Sequence, residues 1–104
     1  MKTILLILIL IVGIAQAQDA ETLAKQKACL GCHSIYHQGI SVPPSYDRIA
    51  ERYRDRPDAL EYISERIQYG GQNVWGGHMP AFPTLTTSEI KTLADWILNI
   101  KKIN

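Results

Sequence analysis

Cys29-Leu30-Gly31-Cys32-His33 is the stretch on which the reading of this chain turns. A Cys-x-x-Cys-His run is the attachment signal for covalently bound c-type haem. Two thiols at this spacing within a helical turn reach the two vinyl carbons of one porphyrin and form thioethers. The next side chain, His33, is then carried under the iron. Its imidazole offers one nitrogen to the metal, and the other can donate a hydrogen bond that fixes the ring.

Three other uses of two cysteines are a disulfide, a thioredoxin-like redox pair and half of a zinc site. Zinc would have to recruit His33, His37 and His78, all the histidines in the chain, because no further cysteine exists. A thioredoxin-like pair needs surrounding strands, and no convincing strand pattern is present. A Cys29–Cys32 disulfide leaves the adjoining histidine without a purpose. Haem attachment accounts for all three residues.

The N-terminus reads as an export signal over residues 1–17, cleaved after Ala17. Met1-Lys2 gives a positive start, Ile4 to Val12 is an unbroken apolar run, and Ala15-Gln16-Ala17 is a small-x-small cleavage pattern. Nine apolar residues fall short of the roughly 20 needed to span a bilayer. The mature chain, residues 18–104, is therefore expected to be a soluble, periplasmic, single domain without an integral membrane segment. Loss of the leader takes one lysine with it and leaves 87 residues, in which ten basic side chains balance ten acidic ones. That balance gives no argument for nucleic acid or for a strongly charged partner. A core of side chains alone is marginal at this length, and a buried haem would complete it.

The expected fold is all-α, with four to five short helices wrapped around one covalently attached haem. Asp19 can cap a first helix through about Lys27, with Leu23, Ala24 and Lys27 on one side. Gly39 and Pro43-Pro44 break the loop from Ser34 to Pro44. Ser45 is placed to cap a helix through about Tyr53, in which Tyr46, Ile49, Ala50 and Tyr53 share a face. Pro57 is assigned to the first turn of another, with Leu60, Ile63 and Ile67 aligned before Gly70-Gly71 ends it. Gln72 to Pro83 reads as a second long loop. Thr86 and Glu89 fit a capping box for a last helix, in which Ile90, Leu93, Ala94, Ile97 and Leu98 follow an amphipathic pattern.

The second loop holds Gly76-Gly77-His78-Met79-Pro80. A thioether is a soft neutral ligand, and a His/Met pair raises the reduction potential relative to two nitrogens. Met79 is the only methionine of the mature chain and lies 46 residues after His33 on a Gly- and Pro-bounded segment. Most methionines fill core gaps, but this placement makes Met79 the candidate sixth ligand. His78 is its rival, since adjacent residues do not both point at one iron.

With these motifs in hand, the chain resembles the class I cytochromes c, most closely the small bacterial monohaem ones, over essentially the whole mature sequence. The most specific pieces are Lys27-Ala28-Cys29-Leu30-Gly31-Cys32-His33, Val42-Pro43-Pro44-Ser45-Tyr46, Arg66-Ile67 leading to Val74-Trp75-Gly76, Met79-Pro80, and Leu93-Ala94-Asp95-Trp96-Ile97-Leu98. The resemblance implies a helical fold whose first and last helices cross beside the haem, and single-electron transfer between larger redox enzymes. It implies that the Pro44 carbonyl accepts the His33 ring proton, that Arg66 and the Trp75 indole contact a haem propionate, and that Trp96 packs the last helix against the first. The chain departs from the pattern in three places. Pro43 stands where relatives usually have Gly, only three residues separate Trp75 from Met79, and Phe82 replaces a polar residue that bonds the ligand sulfur.

Read by themselves, Trp75 also suits ordinary core and Arg66 a surface position. Arg48, Arg52 and Arg56 recur at helical spacing, but interspersed with Glu51, Asp55 and Asp58 they read as a solvated face more than a docking stripe. His37 reads as an exposed loop residue. An iron with both axial positions filled by protein can only change charge, so the expected function is electron transfer with redox partner proteins, by a monomer and without catalysis. The alternative is a haem enzyme or gas sensor in which the sixth ligand detaches.

Overall fold

The computed structural model describes residues 19–101, so the expected leader and its cleavage site lie outside the described residues. Four α-helices follow one another: α1 (Ala20–Gln26), α2 (Tyr46–Tyr53), α3 (Ala59–Tyr69) and α4 (Thr87–Leu98). A 3-10 turn over Cys29–Gly31 follows α1, and two two-residue strands, β1 (Gly71–Gln72) and β2 (His78–Met79), lie between α3 and α4. The fold is all-α, as expected. Among the described residues, no helix is long and apolar enough to cross a membrane.

Local chemistry sets the helix ends. The Asp19 carboxylate accepts from the Thr22 backbone N–H at 3.3 Å and from its hydroxyl at 3.1 Å, satisfying one donor left open at the start of α1. At α4 the Thr86 hydroxyl accepts from the Glu89 N–H at 3.1 Å, while the Glu89 carboxylate accepts from the Thr86 N–H at 3.0 Å. Both halves of the capping box are present. The opposite end of α4 is closed by a residue far away in sequence. Arg54, just after α2, donates to the carbonyls of Leu98 at 2.9 Å and Ile100 at 2.5 Å.

Three local expectations are corrected. Pro57 does not enter the first turn of α3, which begins at Ala59 with Asp58 at its cap position; the turn from Arg54 to Asp58 intervenes, and Arg56 bonds Asp58 there. Leu60 is exposed (42%), because Ala59, Ile63 and Ile67 form the buried face of α3 instead. The span expected to be an unstructured second loop folds back as a hairpin, with Gly71 opposite Met79 and Gln72 opposite His78.

Helix α4 packs on α1, α2 and α3 and forms the spine of the molecule. Its buried face, Ile90, Leu93, Ala94, Ile97 and Leu98, meets Leu23 and Ala24 from α1, Ile49 and Tyr53 from α2, and Ile63 and Ile67 from α3. Trp96 lies edge-on to Tyr46 of α2, at 5.5 Å between ring centres. The ring thus joins the last helix to α2, a contact beyond the α1 packing that the sequence suggested.

Gly70 sets the path of the segment after the hairpin. Its φ of 78° and ψ of −174° form a backbone state open essentially only to glycine. A Cβ there would collide with the backbone of Met79, Pro80 and Ala81. Gly70→Ala is expected to cost at least about 1–3 kcal/mol, read by urea denaturation. Leu93→Ala, at a site 1% exposed, should cost about 2–5 kcal/mol.

Candidate haem-binding site

Between the two loops and the helical core lies a cavity of about 500 Å³, within the size range of cofactor sites. Cys29, Cys32 and His33 border it on one side, Met79 and His78 on the other, with Pro44, Tyr46, Arg66 and Trp75 also in its wall. The rest of the lining is largely apolar and includes Ile49, Ile63, Ile67, Leu93 and Ile97, which also belong to the core or pack against it.

The motif is delivered by α1. Ala28 adopts a left-handed backbone, φ 62°, which breaks the helix and starts the 3-10 turn that begins at Cys29 and is capped by Cys32. The His33 N–H then bonds the Cys29 carbonyl at 2.9 Å. Cys29 is half-buried and Cys32 exposed, and no disulfide joins them. Burial pushes the Cys29 thiol up, with the Tyr46 hydroxyl bond pulling the other way.

The His33 ring is held on two sides. Its Nδ1 donates to the Pro44 carbonyl at 2.7 Å, and its face stacks on Tyr46, with 5.0 Å between ring centres. Burial holds the imidazole below its ordinary pKa, against the pull of that carbonyl. With Nδ1 carrying the proton, Nε2 keeps a free lone pair. Burial and the neighbouring Cys29 push the Tyr46 phenol above its ordinary value, so it stays protonated.

The loop between His33 and Pro44 has no regular structure, yet it is tied to the start of α2. Tyr46 N–H donates to the Ser34 carbonyl and Asp47 N–H to the Ile35 carbonyl, both at 2.9 Å. The open donors at a helix start are thus satisfied by the loop itself. Ser45 occupies the cap position but makes no side-chain cap bond; its hydroxyl donates to Asp47. Asp47 is buried, and its other carboxylate oxygen accepts from the His37 N–H at 3.2 Å. The His37 side chain is exposed. The sequence gives no sign of Asp47 at the site, and for Tyr46 only its place on the apolar face of α2 and at the end of the Val42–Tyr46 stretch.

Opposite, β2 turns adjacent side chains to opposite faces. Met79 is half-buried and His78 exposed. The Phe82 N–H donates to the Ile67 carbonyl at 3.1 Å, anchoring the strap beyond Pro80 to the end of α3. At the hairpin tip, a Cβ on Gly77 would strike Val42, so the two loops meet across the cavity mouth.

Arg66 gives the clearest sign of a missing partner. Its Nε is buried and makes no hydrogen bond with the described residues, a costly arrangement unless an acceptor arrives. An anionic edge of a bound group fits there. Two of the three helix-spaced arginines are engaged elsewhere: the Arg52 guanidinium lies 4.6 Å from the Trp75 ring centre, and Arg56 pairs with Asp58 at 2.8 Å while covering Tyr62. Among the described residues, no three His, Cys, Asp or Glu side chains gather to hold a bare metal ion. The zinc alternative lacks its ligand set.

Because the Tyr46 ring supports His33 and fills core, Tyr46→Ala should cost about 3–5 kcal/mol, the range for losing a large buried aromatic side chain. Tyr46→Phe, which loses only the hydroxyl contact with Cys29, should cost about 1 kcal/mol. Parallel denaturation curves check both.

The Cytochrome c family model matches residues 17–101. Cytochrome c-552 of Hydrogenobacter thermophilus is 41% identical over 96 residues, covering 91% of this chain and 96% of that protein. Cytochrome c-552 of Nitrosomonas europaea is 39% identical over 94 residues, covering 89% and 87%. The crystal structure of wild-type Nitrosomonas europaea cytochrome c552 superposes with a TM-score of 0.70 at 36% identity, over 78% of this chain and 99% of that one. Motif, cavity and relatives agree, and the chain belongs to the cytochrome c family, among the small bacterial monohaem cytochromes.

Proposed function

We propose that this cytochrome is an exported, periplasmic single-electron carrier whose one haem is bonded to Cys29 and Cys32, with His33 and Met79 as its axial ligands. The family binds c-type haem and carries electrons; it is not a family of enzymes. The observation that carries the finer reading is the cavity, around which both thiols, the His33 ring and the Met79 side chain are gathered. The haem supplies a one-electron Fe(III)/Fe(II) couple.

The chain's own residues do the rest. His33 offers Nε2 while the Pro44 carbonyl holds Nδ1 and thereby sets the ring's angle. Met79, the more buried of the two β2 side chains, offers a thioether, while the adjacent His78 is exposed. Arg66 would neutralise and bond a propionate of the haem, and the Trp75 indole would donate a hydrogen bond to one. The aliphatic wall excludes water, which keeps the charge change from reorganising solvent inside the site. Were His33 and Met79 both to hold the iron, no open place would remain on it for substrate. Redox proteins are the partners, and the mature chain begins at Gln18.

The exported protein should keep its haem through acid-acetone extraction; release would refute covalent attachment. Its N-terminus, read by mass spectrometry, should be Gln18. In the oxidised state it should show the weak near-infrared sulfur-to-iron charge-transfer band. Met79→Ala should abolish that band and open the iron to carbon monoxide, while His78→Ala should leave both unchanged. Rapid carbon monoxide binding and peroxide turnover by the unaltered protein would instead favour the enzyme or sensor reading.

A further inference from the structure

We propose that Asp47 and Ser45 are positioning residues for the axial histidine: Asp47 holds the Ser45 hydroxyl, and Ser45 fixes the peptide whose carbonyl receives the His33 ring proton. This rests on His33 being the haem ligand, as argued above. Pro44 and Ser45 share one peptide unit, so whatever orients Ser45 orients the Pro44 carbonyl. Ser45 is fully buried and stands at the cap position of α2, yet its hydroxyl is turned from the helix to the Asp47 carboxylate.

Asp47 is 7% exposed, and a buried carboxylate is unfavourable unless its oxygens are bonded. Here both are. One oxygen accepts from Ser45, at the far end of the loop, and the other accepts from the His37 N–H, in its middle, at 3.2 Å. Burial raises the Asp47 pKa, but the Ser45 hydroxyl and the N–H groups of His37 and Arg48 outweigh it and hold the carboxyl below its ordinary value. The group is ionised, and a charged acceptor makes the stronger bond. The chain of contacts runs from Asp47 to Ser45, through the 44–45 peptide, to His33 Nδ1.

A well-aligned acceptor on the outer nitrogen makes an imidazole a stronger donor to its metal. Stronger donation favours ferric iron, so loosening the chain should raise the reduction potential. Ser45→Ala removes the hydroxyl at little cost in volume, and Asp47→Asn keeps the shape but removes the charge. In the haem-loaded exported protein, each should shift the potential upward and make exchange of the His33 Nδ1 proton several-fold faster by NMR. The double variant should shift the potential no further than the larger single change, since both act through one chain.

Additive shifts would mean that Asp47 acts by its charge alone and would overturn the proposal. So would a lower melting temperature with potential and proton exchange unchanged, the signature of a merely structural role. The two readings fail differently. If His33→Ala leaves the spectrum of the wild-type protein intact, the ligand assignment falls and this inference with it. A normal spectrum with unmoved potentials in Ser45→Ala removes this inference alone.

Discussion

The hydrogen bond from His33 Nδ1 to the Pro44 carbonyl is the contact on which the rest of the site depends. It closes a loop that has no helix or strand of its own, and it sets the angle of the only ring that the motif presents to the cavity. The loop does not hold this bond alone. Ser34 and Ile35 receive the first two N–H groups of α2, so the ends of the loop are fastened to a helix start that needs those acceptors. Tyr46, the first residue of α2, lays its ring on His33 and its edge on Trp96. The motif is thereby connected to α4, and through α4 to the whole core.

On the opposite side the constraint is steric. Gly70 ends α3 in a conformation and at a closeness that no side chain permits, so the Met79–Ala81 strap passes directly over it. Pairing of Met79 with Gly71 and of His78 with Gln72 then sets the two adjacent side chains on opposite faces, Met79 half-buried and His78 exposed. The walls between these two devices are the same aliphatic residues that join the helices. A chain of this length has little apolar surface to spare, and leaving a cavity in the middle of its core is consistent with a fold completed by the haem of its family.

The arginines illustrate how position changes meaning. Arg52 and Arg56 carry the spacing of a docking stripe, but one rests on Trp75 and the other is paired with Asp58 over Tyr62. Arg54, on the same stretch, works inward and closes the end of α4. Among the described residues, Arg66 alone keeps a buried side-chain donor without an acceptor, which is a statement about what the cavity receives rather than about the surface.

By itself the sequence determined the helical class, the cap residues of α1 and α4, the buried faces of α2 and α4, and the grouping of Cys29, Cys32 and His33 in one motif. These are local matters: capping, periodicity and motif spacing act within a few residues, so they can be read along the chain. Met79 was legible only as a candidate, because a loop motif does not say whether it or His78 faces inward. Only the tertiary structure decided the hairpin that leaves Met79 half-buried and His78 exposed, the exposure of Leu60, the inward role of Arg54 and the Ser45–Asp47–His37 tie. Each depends on partners brought together from distant positions, or on competition between adjacent side chains for one buried face, and neither leaves a periodic trace in the sequence.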